Sequence, residues 1–202
     1  MSDTAAGPHD ALHRPLRLGP ATARNRVVFG AHHTLFAEPS STFGEPGAVG
    51  ERLVGYLAER AAGGVGTVIC GQTSVHPDTA AQVANLPIAW DRQVIGGWSL
   101  LARSLQEHGA LAFVQLAHNG GMVPGDWTKR PAVAPSSIAY LHESPRVMSP
   151  ADLDDLVTHY GRAARHARSA KSVFDELEGY GLEPIEQLAP ARPARLRRRV
   201  AD

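Results

Sequence analysis

The sequence has few of the features that mark secreted, membrane-spanning or nucleic-acid-binding proteins. Cys70 is the one cysteine among 202 residues, so no disulfide can form within the chain. No apolar run approaches the length of about 18 residues that a spanning helix needs. The first eleven residues contain no apolar segment typical of a secretory signal. With 20 basic and 20 acidic residues, no net charge attracts nucleic acid or anionic membranes. We therefore expect a cytoplasmic protein that binds neither.

Hydrophobic residues make up 43% of the chain and charged residues 20%, which is typical of a globular protein with a real core. Apolar runs with the length of buried strands alternate with segments that have helical periodicity. The predicted strands are Arg26–Phe29, Gly66–Cys70 and Ala110–Leu116, and the predicted helices are Glu51–Ala62, Asp91–Glu107 and a segment capped by Ser149 that ends near Ala170. This alternation predicts an α/β fold with a parallel sheet. A short hairpin is expected before the first strand, around Pro15–Pro20.

Each predicted helix has an apolar face that should be buried. The residues of these faces are Leu53, Val54, Leu57 and Ala61 in the first helix, Val94, Ile95, Trp98, Leu101 and Leu105 in the second, and Leu153, Leu156, Val157, Tyr160 and Ala164 in the third. Cys70 and the three tryptophans, Trp90, Trp98 and Trp127, are also expected to pack in the interior. The segment from Met122 to Met148, with four prolines, is predicted to be a loop.

Small and polar residues follow each predicted strand. They are Gly30, Ala31, His32 and His33 after the first, Gln72 after the second, and Gln115 near the end of the third. In a barrel of parallel strands these ends meet at one mouth, where the active site lies. A glutamine amide offers a donor and an acceptor to a flat heterocycle, but spacing alone does not single out one ligand, and ordinary surface turns are the alternative. Adjacent histidines point to opposite sides of a strand, so we predict no metal site there.

Four motifs resemble the Old Yellow Enzyme and 2,4-dienoyl-CoA reductase family of NADH:flavin oxidoreductases, which depend on FMN. They are Pro15–Gly19, Asn25–Val28, Tyr56–Ala61 and Gln115–Gly121, and the resemblance covers about residues 12–170. It implies a (β/α)8 TIM barrel with FMN lying across the strand ends, and NAD(P)H as the reductant. It also implies an activated alkene or enoyl-type compound as the small-molecule acceptor.

The resemblance implies a role for each strand-end residue. Gly30, Ala31, His32 and His33 would line the flavin, Gln115 would bind the pyrimidine edge of its ring, and Gln72 would lie against it where the family has a small residue. Glu178-Gly179-Tyr180 is similar to the motif that supplies a proton-donating tyrosine in the dienoyl-CoA branch. Tyr180 is therefore the expected catalytic residue. The alternative is a tyrosine in a disrupted segment.

The pattern weakens where a fourth strand is expected, near Lys171–Glu178, and a full barrel needs about 250 residues. We therefore expect only the N-terminal half of the barrel, about four strands, in residues 12–187. A flexible arm (1–11) would precede it, and an Ala/Pro/Arg-rich tail (188–202) would follow. A shifted reading frame near Lys171 is one hypothesis for this change, and the downstream DNA tests it. A half barrel has unpaired edges, so we expect low stability and weak FMN binding or none. Oligomers are possible. The alternative function is a non-catalytic remnant or interaction module that no longer holds FMN.

Overall fold

A computed structural model of the chain describes residues 7, 9–39, 46–80, 85–139 and 142–170. Short and long elements alternate along it. The strands are β1 (Leu16–Leu18), β2 (Ala21–Ala23), β3 (Val28–Phe29), β4 (Glu38–Pro39), β5 (Pro46–Ala48), β6 (Thr67–Ser74), β7 (Leu111–Ala117), β8 (Val133–Ala134) and β9 (Arg146–Val147). The α-helices are α1 (Glu51–Ala62), α2 (Ile95–Gln106), α3 (Gly125–Thr128) and α4 (Pro150–Ser169). None of the helices in the described ranges is both long and apolar enough to cross a membrane.

The central sheet is parallel, in the order β3-β6-β7. Helix α1 connects β3 to β6, and α2 connects β6 to β7, so the predicted strand–helix alternation is confirmed. The strand β6 continues to Ser74, beyond the predicted end at Cys70, because Thr73 and Ser74 pair with Leu116 and Ala117 of β7. Gln72 therefore lies inside a strand rather than after one.

Smaller pairs of strands surround this sheet. β1 and β2 form the predicted antiparallel hairpin, which turns at Gly19 with a positive φ of 65° that glycine adopts readily. The predicted loop from Met122 to Met148 contains more structure than expected, because α3 lies within it and β8 pairs with β9 in parallel. The fourth strand expected near Lys171–Glu178 and the tail at 188–202 lie outside the described residues.

The core lies between the sheet and helices α1 and α2. The predicted face of α1 is fully confirmed. In the second predicted helix Ile95 is only half-buried, Ala102 is buried although it was not predicted to be, and the other predicted positions are buried, namely Val94, Trp98, Leu101 and Leu105. Trp98 is buried, whereas Trp127 is 43% exposed, so the expectation that all three tryptophans pack inside is wrong for Trp127. It belongs to the one-turn helix α3, which is too short to have a buried face.

Helix α4 begins as predicted and packs differently. Ser149 and Asp152 form a capping box, and Pro150 occupies the first turn, which explains the sharp start of the helix. Its fully buried positions are the small residues Gly161, Ala163 and Ala167, whereas the predicted core residue Val157 is 41% exposed. The interface of α4 with α2 and β7 is therefore built on small side chains, which allow close approach.

Burial makes the Cys70 thiol chemically inert. The residue is 2% exposed, and burial raises the pKa of its thiol to about 12. We expect a disulfide reagent at pH 8 to modify the folded chain at least about 100-fold more slowly than the urea-unfolded chain. Absorbance of the released chromophore measures both rates. Equal rates would contradict burial of this side chain.

Candidate functional site

The carboxyl ends of the three parallel strands converge around Gly71. A methyl group added at Gly71 would lie 2.8 Å from the Cβ atoms of both Ala31 and Gln115, and 2.9 Å from Gln115 Oε1. Ala31 follows β3, Gly71 belongs to β6 and Gln115 belongs to β7, so one glycine marks the point where all three strand ends meet. Gly30 differs, because a Cβ there would have no atom within 4 Å. The backbone at Gly30 is therefore open to a ligand.

Gln72 is held by side chains on both sides. His33 Nε2 donates a hydrogen bond to Gln72 Oε1 at 2.7 Å, and Gln72 Nε2 donates to Asn119 Oδ1. Asn119 Nδ2 in turn donates to the backbone carbonyl of Thr79 at 2.6 Å. These bonds tie the segments that follow β3, β6 and β7 into one network. Asn119 was not among the predicted site residues, although it lies within the Gln115–Gly121 motif.

His32 belongs to an aromatic cluster at the edge of the site. Its Nδ1 donates to the carbonyl of Gly30 at 3.2 Å, which leaves Nε2 to accept from the Tyr56 hydroxyl at 3.0 Å. The guanidinium of Arg60 stacks over the Tyr56 ring at 3.5 Å, a cation–π contact. Tyr56 and Arg60 lie on α1, in the Tyr56–Ala61 motif, and neither was among the predicted site residues.

Two further polar groups of the Gln115–Gly121 motif differ in their surroundings. Gln115 is exposed, and its amide makes no hydrogen bond to another residue in the described ranges. His118 is partly buried, and burial together with the nearby His76 imidazole lowers the pKa of its ring to about 4. His118 is therefore uncharged at neutral pH, and Gln115 is the amide that is available to a ligand.

These residues fit a flat heterocycle with alternating donors and acceptors along one edge. The open backbone at Gly30 allows close approach, and the unpaired amide of Gln115 offers both a donor and an acceptor. Of the predicted site residues, Gly30, Ala31, His32, His33, Gln72 and Gln115 all lie at this end of the sheet. Tyr180 lies outside the described residues.

Sequence similarity shows which protein family contains this chain. Residues 11–183 match the sequence profile of the NADH:flavin oxidoreductase / NADH oxidase family. The chain belongs to this family. Membership confirms the resemblance found in the sequence, and the cofactors FMN and NAD(P)H are those of the family.

Curated members of the family are similar along most of the chain. The chain is 32% identical over 188 residues to a probable N-methylproline demethylase of Rhizobium meliloti (strain 1021). The aligned region covers 90% of this chain and 26% of the relative. It is 30% identical over 171 residues to an NADPH dehydrogenase of Listeria welshimeri, and that alignment covers 83% of this chain and 47% of the relative. The chain thus spans between a quarter and a half of the length of these relatives.

Solved structures confirm the predicted fold class. The Old Yellow Enzyme homologue of Zymomonas mobilis superposes with a TM-score of 0.68 at 26% identity, over 80% of this chain and 46% of that one. Old Yellow Enzyme from Pichia sp. AKU4542 superposes with a TM-score of 0.71 at 18% identity, over 80% and 44% respectively, a likeness of fold alone. The described residues correspond to an open part of this α/β barrel, with three of its parallel strands.

Proposed function

We propose that this chain supplies the flavin-ring site of an FMN-dependent oxidoreductase that takes electrons from NAD(P)H and passes them to a small-molecule acceptor. The observation that carries this proposal is the convergence of Ala31, Gly71 and Gln115 at the strand ends, with the amide of Gln115 unpaired and exposed. Membership in the NADH:flavin oxidoreductase / NADH oxidase family supports the same reaction class.

The residues of the chain take distinct roles in this proposal. Gln115 holds the donor–acceptor edge of the flavin, and the backbone at Gly30 and Ala31 lies against the ring. His33 and Asn119 each bond one amide atom of Gln72. Through these two bonds Gln72 holds the segments that follow β3 and β7 in place around the ring. When bound, FMN supplies hydride acceptance from the reductant and hydride donation to the acceptor.

The acceptor is proposed at the level of a class. The names of the relatives include a demethylase and an NADPH dehydrogenase, so they do not agree on one substrate. The run Gly30-Ala31-His32-His33-Thr34 is similar to the corresponding turn of the dienoyl-CoA reductase branch, which has a glycine, a small residue, any residue, a histidine and a threonine. This resemblance favours an activated alkene or enoyl-type compound. Tyr180 is proposed as its proton donor. We also propose a cytoplasmic location, which the single buried cysteine supports.

Flavin titration of the purified chain tests this proposal. We expect FMN and riboflavin to bind weakly, with quenching of flavin fluorescence, and Gln115→Ala to weaken both about 5- to 10-fold, the cost of one or two hydrogen bonds. The matched control is Gln93→Ala, because Gln93 is also exposed and lies outside the strand ends, just before α2. Riboflavin isolates the contribution of the ring from that of the phosphate.

Two results would count against the proposed function. If neither flavin binds to a folded chain, the alternative of a non-catalytic remnant or interaction module is favoured. If both flavins bind equally well to the wild type and to Gln115→Ala, the ring is held elsewhere. Far-UV circular dichroism of each variant shows whether a loss of binding reflects a loss of structure.

A further inference from the structure

Three metal-ligating side chains meet next to the strand-end site. His76 Nε2 lies 2.7 Å from Asp155 Oδ2, and His159 Nδ1 lies 3.4 Å from Asp155 Oδ1. One ligand atom from each of the three residues lies within 4.8 Å of the other two. Both imidazole side chains are only 12% exposed, whereas the carboxylate is 55% exposed. We refer to His76, Asp155 and His159 as the His₂Asp cluster.

The fold places these side chains together from two elements. Asp155 and His159 are four residues apart on α4, so they share one face of the helix. His76 lies between β6 and a short 3-10 helix at Pro77–Thr79, and the Asp78 N–H donates to His76 Nδ1 at 3.1 Å. This bond orients the ring so that Nε2 points to Asp155. His159 Nδ1, the atom that lies 3.4 Å from Asp155 Oδ1, also donates to the backbone carbonyl of Asp155 at 3.0 Å, so binding an ion through this nitrogen requires that bond to be given up.

We propose that the His₂Asp cluster binds a divalent transition-metal ion of the zinc class. Two imidazoles and one carboxylate form a donor set that suits Zn²⁺ and related first-row ions, whereas Mg²⁺ and Ca²⁺ prefer oxygen ligands alone. Three protein ligands leave a fourth position of a tetrahedron for water. Neighbouring ligand atoms of a tetrahedral zinc ion are about 3.4 Å apart. The widest separation in the cluster, at most 4.8 Å, must therefore shrink by up to about 1.4 Å, and the 2.7 Å contact between His76 and Asp155 must open by about 0.7 Å. The exposed side chain of Asp155 has room for this rotation.

The ion competes with a proton in the His₂Asp cluster. His76 accepts from Asp78 N–H through Nδ1, so its neutral ring carries a proton on Nε2, between the imidazole and Asp155. Metal binding at Nε2 moves the ring proton to Nδ1 and releases the contact with Asp78. The positive charge of Arg162 also interacts with the Asp155 carboxylate, and it repels a metal cation bound there. Both effects oppose binding, so we expect moderate affinity, on the order of 10 μM, rather than that of a closed structural zinc site.

The cluster is separate from the proposed flavin site and does not depend on it. The His118 ring belongs to the motif that also contains Gln115, and its centroid is 5.9 Å from that of the His76 ring. An ion there would join α4 to the segment after β6, because the ligands come from both. No pattern in the sequence predicted a metal site. His76 and Asp155 are 79 residues apart, so their spacing gave no signal.

Zinc titration of the full-length chain without a histidine tag tests this proposal. After treatment with EDTA, we expect one equivalent of Zn²⁺ to bind in competition with a chromophoric chelator, and His159→Gln to weaken binding at least about tenfold. The matched control is His142→Gln, which should change the affinity less than about twofold. The His142 imidazole also faces a carboxylate, 3.5 Å from Asp126, but no third ligand joins this pair within the described ranges.

Other outcomes separate metal binding from a purely structural ion pair. If the cluster only pairs α4 with the segment after β6, His159→Gln lowers the melting temperature and Zn²⁺ shifts neither protein, which overturns the proposal. Binding of equal strength in His159→Gln and wild type would also overturn it. Asp155→Asn keeps the size of the side chain and serves as a second variant if His159→Gln loses its far-UV spectrum. Absorption of bound Co²⁺ with the intensity of a four-coordinate site would support the ligand set.

Discussion

Replacing Gly97 with alanine is expected to lower the free energy of unfolding by about 1–3 kcal/mol, a cost typical of an overpacked interior. Gly97 lies on α2, where an added Cβ would be 2.3 Å from the carbonyl oxygen of Val49 and 3.1 Å from its Cβ. The nearest atom belongs to the backbone, so no side-chain rotation can relieve the contact. The helix must instead move away from the segment that leads into α1.

Gly96→Ala is the matched control, because it makes the same chemical change one position earlier in the same helix. Gly96 is exposed, and a Cβ there would have no atom within 4 Å. Alanine is favoured over glycine in a helix, so this variant should gain up to about 1 kcal/mol. Urea denaturation followed by circular dichroism measures both changes. Two variants of equal stability would show that α2 does not approach Val49 closely.

The elements that the sequence predicted well are those with strong local signals. The bounds of α1 agree at both ends, because its apolar face is regular and Gly63-Gly64 follows its last residue. The start of α4 agrees because Ser149, Pro150 and Asp152 all favour a helix start at one position. Such signals depend on residues only a few positions apart, so they can be recognised in the sequence before the fold is known.

The differences arise where distant partners decide the structure. The end of β6 depends on its pairing with β7 and on a bridge between Ser74 and Ile88, neither of which a local pattern shows. The buried face of α4 depends on how closely the helix approaches its neighbours. Close packing there favours Ala163 and Ala167 over Val157, which a periodicity argument ranks higher because it is more apolar.

The candidate site shows the same division. The resemblance indicated the strand ends, and the structure places Gly30, Gln72 and Gln115 at one end of the sheet. It could not indicate that His33 and Asn119 share the amide of Gln72, because these residues come from three separate segments. The contact between the Tyr56 hydroxyl and His32 was not predicted for the same reason, because Tyr56 lies on α1 and His32 follows β3. Side-chain networks of this kind follow from tertiary structure, and a single sequence carries little information about them.

Gly71→Ala should have the largest effect on flavin binding. Its methyl group would lie 2.8 Å from the Cβ atoms of Ala31 and Gln115, both of which are bonded directly to backbone. The strands must separate to accept it, which moves the amide of Gln115 and the backbone that follows β3 together. A cost of about 2 kcal/mol in the bound geometry corresponds to a roughly 30-fold rise in the dissociation constants of FMN and riboflavin.

Gly55→Ala is the control for this variant, because Gly55 lies on α1 and a Cβ there would have no atom within 4 Å. We expect it to bind both flavins as the wild type does. Gly71→Ala should retain the far-UV spectrum, since the change is confined to the ends of three strands. If Gly71→Ala also binds both flavins like the wild type, the flavin does not contact these strand ends. The proposed roles of Gly30, Ala31 and Gln115 would then be wrong, although the family assignment would stand, because it rests on the match over residues 11–183.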